Sequence, residues 1–266
     1  FGAITSPVTP DPCYSSPLLQ LRKHFDLYAN IRPCFPILPE FKLVDLNTVI
    51  VRENTEGMYT GREREEDGAV ILERVVSVKG CRRIVEKAIK VSRVMGFDRI
   101  TCVHKANVLR KSDGLFRRIF YETMEGSGLQ ANDMIVDAAA AALISKPKCF
   151  QCIVTLNLYG DILSDEAAAL TGGLGMAPSA NLGDHFGLFE PVHGSAPDIA
   201  GKGIANPSAT ILSACLMLEF LKKMDAASRL QSALVQTLNE GDRTRDLGGS
   251  LGTMDLSLIH ISQGIV

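Results

Sequence analysis

The chain has 266 residues, 46% hydrophobic and 22% charged, with 28 Lys and Arg against 30 Asp and Glu. That length supports one large or two ordinary domains with a real core, and a net charge of -2 argues against a nucleic-acid or polyanion partner. No apolar run approaches the roughly 20 residues that span a bilayer, and no signal peptide is evident, so no membrane partner is expected.

The opening residues Phe1 to Ile4 read as the middle of a strand that runs into a Pro-rich loop, Ser6 to Pro17. Arg22 and Arg32 then flank a short helix-like segment ending in Tyr28-Ala29-Asn30. Apolar runs at Thr48 to Val51, Ile100 to Val103, Met134 to Val136 and Cys152 to Leu156 predict buried strands. Helical patterns lie among them, at Cys81 to Met95, Gly114 to Glu125, Ala138 to Ile144 and Asp161 to Leu170. Two more follow, Pro207 to Lys222 with Pro in its opening turn, and Ala226 to Asn239. This alternation predicts an α/β protein with a helix-covered sheet. Gly172, Gly173 and Gly175 form a hinge-like break before the Pro/Gly-rich stretch Pro178 to Pro207, and a domain boundary is placed there. From Asp255 a closing amphipathic helix is expected, yet LSLIHISQGIV alternates. Leu256 to Ile261 is therefore read as foreign to the protein, and the last ten or so residues are left out of fold reasoning. The seven scattered cysteines suit a reducing cytoplasm. Cys149 and Cys152 form a CxxC, but it straddles a strand start and predicts neither redox nor metal chemistry.

The densest chemistry lies in Asn157 to Asp165, NLYGDILSD. In a helix starting near Asp161, the i,i+4 spacing sets Asp161 and Asp165 on one face at its N-terminal end, two oxygen ligands suited to a hard divalent cation. Taken alone, the pair could equally be an N-capping Asp followed by a solvated one. Polar residues also close the other predicted strands: Arg52-Glu53-Asn54 with Tyr59 beyond, His104-Lys105-Ala106-Asn107, and Asp137. Each alone could be a surface ion pair. Together, arginines, a lysine, a tyrosine and aspartates suit a small polycarboxylate held by guanidinium forks beside a metal.

The segments LRKHFDLYANIRP, VIVRENTEGMYTGRE, HKANVL, NLYGDILSDEAA, GGLGMAPSANLGD and FEPVHGSAPDIAGKGIANP resemble the β-decarboxylating dehydrogenases, the isocitrate/isopropylmalate dehydrogenase family. The similarity runs from Phe1 to about Thr253. It implies a two-domain, three-layer α/β fold with a mixed sheet, lacking here the family's N-terminal strand and glycine-rich turn. Residues 1–27 and 172–266 would form the dinucleotide-binding domain, and 28–171 the substrate, metal and dimerisation domain. Residue by residue, the resemblance implies that Arg22, Arg32 and Arg52 grip substrate carboxylates, with Asn107 beside them. Asp161 and Asp165 of one subunit, with Asp137 of its partner, would hold Mg2+ or Mn2+. Lys105, from the partner subunit, would belong to the general-base system, and Tyr59 would donate a proton. Glu190, His193, Gly194, Ser195, Ala196, Asp198, Ile199, Asn206 and Asp246 match the wall around the dinucleotide.

The implied reaction is NAD-dependent oxidation of a 2-hydroxy-3-carboxy acid, loss of CO2 and protonation of the enolate by Tyr59. Ser16 and Leu18 occupy the family's specificity region. Isocitrate-type enzymes commonly carry Ser and Asn there, and Leu18 suits an isopropyl group, so 3-isopropylmalate leads, with homoisocitrate or isocitrate as alternatives. The pair Asp198-Ile199 stands where NADP users carry Lys-Tyr, which implies NAD. A homodimer with shared sites, possibly a tetramer, is expected. Readings of another class are a non-catalytic regulatory subunit, which would lack members of the Tyr/Lys/Asp set present here, and an inactive fragment.

Overall fold

The computed structural model describes residues 1–4, 14 and 16–264, with side chains to residue 259. Helix α1 (Pro17–His24) leads into β1 (Ala29–Cys34), β2 (Thr48–Glu53) and a small hairpin, β3 (Glu63–Glu66) with β4 (Ala69–Leu72). Then come α2 (Val78–Val94), β5 (Arg99–His104), α3 (Ser112–Met124), β6 (Gln130–Ile135), α4 (Val136–Ser145), β7 (Cys152–Thr155) and α5 (Asn157–Leu170). The chain continues through β8 (Pro178–Leu182), β9 (Gly187–Pro191), α6 (Ser208–Phe220), α7 (Met224–Asn239) and α8 (Thr253–Gly264).

Seven strands make one mixed sheet in the order β6-β5-β7-β2-β1-β8-β9. The half from β6 to β2 is parallel, whereas β1 runs antiparallel to both β2 and β8, and β8 antiparallel to β9. Strand alternation sorts the side chains by face. Ala29, Ile31, Val49 and Val51 join the core under α2 and α3, while Ile50 and Cys34 join the core under α4 and α5. Arg32 pairs in register with Ile50, and Asn30 with Arg52, so both arginines emerge on the α5 face. A third core gathers Leu212, Leu234 and Leu238 of α6 and α7 over Met176. No helix among the described residues is long and apolar enough to cross a membrane, and the six cysteines among them are all free.

Several expectations change. Phe1 to Ile4 forms no strand, although the Phe1 ammonium donates to the Phe189 carbonyl at 3.0 Å. In the Ser6-to-Pro17 loop, residues 6–13 and Ser15 lie outside the described residues. The helix after Pro17 stops at His24, and Tyr28-Ala29-Asn30 enters a strand, because burial between β2 and β8 outweighs local helix signals. The strand expected at Met134 to Val136 lies earlier, at Gln130–Ile135, since Val136 already opens α4. Helix α5 begins four residues before Asp161, which moves both aspartates out of the first turn. The Pro/Gly-rich stretch contains β8 and β9, and the strongly charged Glu63–Glu66 is a strand of an exposed hairpin, neither legible as an apolar run. The segment from Leu256 is helical and Leu256 is fully buried, so tertiary packing overrides its alternation.

Candidate active site

On α5, Asp161 and Asp165 lie one turn apart, and the Arg32 guanidinium bridges them: Nη2 reaches Asp161 Oδ1 and Nη1 reaches Asp165 Oδ1, each at 3.1 Å. Arg32 Nη1 also donates to Ser164 Oγ at 2.6 Å and its Nε to Asn30 Oδ1 at 2.6 Å. Arg52 donates through Nη1 to Asp161 and through Nε and Nη2 to Asn157 Oδ1, at 3.0 and 2.8 Å. Tyr59, on the loop after β2, donates its hydroxyl to Asp161 Oδ2 at 2.8 Å, and its ring lies 5.3 Å from the Arg52 guanidinium carbon. Arg22, in the last turn of α1, pairs with Glu190 of β9 at 3.5 Å.

Three buried guanidinium groups in one pocket are costly unless anions face them. Burial pushes Arg52 down to about 10, with Arg32 and Arg22 adding to the fall. Burial likewise lowers Arg22, and its Nε is buried without a hydrogen-bond partner. For Asp161, burial alone would raise the carboxyl, but Arg52 and Arg32 outweigh it and hold it below the usual range. Burial raises Asp165, against the opposing charge of Arg32, and raises the Tyr59 phenol, keeping it protonated. The pocket therefore combines an unsatisfied donor on Arg22, a fork spanning two carboxylates and a protonated phenol. Such a set suits a small acid with several carboxylates.

Behind it runs a buried polar relay. Asn30 donates to Asn181 Oδ1 at 2.8 Å, Asn54 donates to the same oxygen at 3.0 Å, and Asn181 Nδ2 donates to Glu190 Oε1 at 2.9 Å. Arg32 and Arg22 are thus joined through Asn30, Asn181 and Glu190. Glu190, expected in the dinucleotide wall, also pairs with Arg22. Asn181 was missed because no local pattern marks an asparagine that works only across three strands. Gly160 is required by contact: a Cβ there would meet the Arg52 Cβ and Cγ at 2.6 Å. Ser16 is buried just before α1, and Leu18 is half-buried one turn before Arg22.

Lys105 and Asp137 form a second group. The Lys105 ammonium donates to Asp137, and that bond lowers the Asp137 carboxyl. Asp137 is exposed in the first turn of α4, and Asn107 is exposed on the turn after β5. Among the described residues no three His, Cys, Asp or Glu side chains converge as a metal site, so Asp161 and Asp165 stand as a pair. Two carboxylates fixed one helical turn apart fit a hard divalent cation whose remaining positions come from outside this chain.

A third group lies beyond β9. Asn206 Nδ2 donates to Asp246 Oδ2 at 2.9 Å, Thr244 Oγ1 donates to Asp246 Oδ1 at 2.5 Å, and Thr253 Oγ1 donates to the Ala205 carbonyl at 2.5 Å. These bonds draw the loop from His193 to Asn206 against the 244–253 segment. Gly175 lies under the pair: a Cβ there would sit 2.8 Å from Asp246 Oδ2. His193, Gly194, Ser195 and Ala196 lead to the single turn Pro197–Ile199, which Ala196 enters with φ 45° and which carries Asp198 exposed and Ile199 half-buried. Loose, exposed backbone beside an anchored wall suits the ends of a dinucleotide.

The profile of the family described as isocitrate/isopropylmalate dehydrogenase matches residues 1–258. Homoisocitrate dehydrogenase of Methanocaldococcus jannaschii is 47% identical over 268 residues, covering 96% of this chain and 77% of that one. 3-Isopropylmalate dehydrogenase of Methanothermobacter thermautotrophicus is 51% identical over 243 residues, covering 90% and 74%. The crystal structure of isocitrate dehydrogenase from Methylococcus capsulatus superposes with a TM-score of 0.93 at 41% identity, over 98% of this chain and 80% of that one.

Proposed function

The chain belongs to the isocitrate/isopropylmalate dehydrogenase family, and from that premise we propose that it oxidises and decarboxylates 3-isopropylmalate with NAD. The observation that carries the reading is the Arg32 fork across Asp161 and Asp165, with Arg22, Arg52 and Tyr59 around it. Arg22, Arg32 and Arg52 bind the substrate carboxylates and orient the 2-hydroxyl. Asp161, Asp165 and the Asp137 position of a second subunit would hold Mg2+ or Mn2+, which would supply charge stabilisation at the reacting oxygen, and NAD would supply the hydride acceptor. Lys105 of the second subunit takes the hydroxyl proton, and after CO2 leaves, Tyr59 returns a proton to the vacated carbon. The outward Lys105–Asp137 pair, apart from the Asp161–Asp165 group, supports homodimeric sites. Residues 1–27 with 172–266 form the cofactor unit and residues 28–171 the substrate unit. Free, mostly buried cysteines support a reducing cytoplasm.

Leu18 favours 3-isopropylmalate. On α1 it shares a face with Arg22, so an apolar group lies where a third carboxylate would otherwise need a donor. Homoisocitrate and isocitrate are the alternatives. Turnover of all three acids by the full chain, with Mg2+ or Mn2+, tests the choice. 3-Isopropylmalate is expected to give the highest kcat/KM, and a preference for either tricarboxylate would overturn it.

A further inference from the structure

Asp113, in the first turn of α3, is fully buried and belongs to neither the arginine cluster nor the dinucleotide wall. Its Oδ2 accepts the backbone amide of Lys105 at 2.7 Å, and its Oδ1 accepts Arg74 Nη1 at 2.5 Å. The Lys105 carbonyl accepts two more amides, Val108 at 3.0 Å and Leu109 at 2.8 Å. The next amide, Ala106, donates to His104 Nδ1 at 3.0 Å, while His104 Nε2 lies 2.9 Å from Asp133 Oδ2. The peptide on either side of Lys105 is therefore fixed, and only its side chain projects outward to Asp137. Arg74 stacks 5.1 Å from the centre of the Tyr159 ring, two residues before Asp161 on α5.

Replacing a buried ion pair by apolar residues of the same volume is often neutral or stabilising, so the Asp113–Arg74 pair is weak evidence of a purely stabilising role. We propose that Asp113 is the positioning residue for Lys105: it fixes the backbone from which the Lys105 side chain, proton-accepting as the neutral amine, reaches the site. Arg74 neutralises the buried carboxylate and ties it to the helix that carries Asp161 and Asp165. This inference rests on the role given to Lys105 above. The mechanism is preorganisation, in which a displacement of about 1 Å can cost on the order of 100-fold in rate.

The test measures steady-state kinetics of the full chain with its best acid, NAD and Mg2+ for Asp113→Ala, Asp113→Asn, Lys105→Ala and the double variants. Asp113→Ala is expected to lower kcat about 100-fold with KM nearly unchanged. Asp113→Asn, which cannot accept from both donors, should lower it about 10-fold. In the Lys105→Ala background neither change should cost further activity, because the group being positioned is gone. Losses that multiply with the Lys105→Ala loss, or wild-type kcat in Asp113→Asn, would overturn the inference. Asp113→Asn alone decides if Asp113→Ala does not fold. Full activity of Lys105→Ala would instead overturn the role of Lys105 itself.

Discussion

At the scale of the residue, the site is an argument about charge. Among the described residues, Arg22, Arg32 and Arg52 pair with Asp161, Asp165 and Glu190. Asp161→Asn and Asp165→Asn should each lower kcat by at least about 100-fold while leaving the chain folded, since each removes a charge from a cation site. Calorimetric titration with Mg2+ or Mn2+ supplies the second readout, and unchanged affinity would remove the metal role. Gly160→Ala should raise the substrate KM and destabilise by about 1–3 kcal/mol, because its methyl group displaces Arg52; a neutral substitution would contradict the packing. Asp133 gives a pH prediction. Burial alone would raise its carboxyl, but hydrogen bonds from Arg117, Tyr121 and His104 overcome this and hold it far below its ordinary 3.8. A depressed acid stabilises the fold above its unfolded value, and that contribution fades as pH falls towards the folded value. Asp133→Asn should therefore destabilise by about 1–3 kcal/mol at pH 7 and by less near pH 3. Denaturant melts that show an equal gap at both pH values would refute the assignment. The paired aspartates and strand-end arginines were readable because helix and strand periods fix their faces. Arg74 and Asn181 were not, because their partners lie far along the chain, and Asp113 was not, because no local pattern marks its bond to the Lys105 amide.

At the scale of the element, periodicity served best where one period held without competition. Helix α2 matches its apolar repeat and starts at Ser77, whose hydroxyl accepts the Gly80 amide at 2.9 Å. It failed where a strand carries the site. In β1, Asn30, Arg32 and Pro33 break any apolar run, so only its neighbours β2 and β8 reveal it. It also failed in β8 and β9, where Pro, Asn and Gly read as loop. Lys105 at the end of β5 and Asp161 in α5 belong to separate groups, and that separation can be tested genetically. Mixing Lys105→Met with Asp161→Asn chains should restore up to about a quarter to a half of wild-type turnover if sites are shared between subunits. Mass spectrometry would confirm subunit exchange, and exchange without recovery would count against sharing.

At the scale of the whole molecule, the proposed preference for NAD rests on one exposed acid. Asp198 stands on the turn Pro197–Ile199, where it can accept from a free ribose hydroxyl and would repel a phosphate. The difference is about 2–4 kcal/mol, or roughly 30- to 1,000-fold in favour of NAD. Equal kcat/KM for NAD and NADP would dismiss it, and Asp198→Lys with Ile199→Tyr should move preference towards NADP. Strand β1 is bonded to strands on both flanks, with Ile31 facing Val51 on one side and Ala180 on the other. A sheet so continuous has no free linker at its middle. Relative movement of its two sides has to be absorbed as a change of twist distributed over many peptide bonds, resisted by the buried Asn30–Asn181 bond. Any such movement would load the sheet as a torsion spring. Amides of Ile31 and Ala180 should stay among the slowest to exchange with deuterium whether or not substrate is bound.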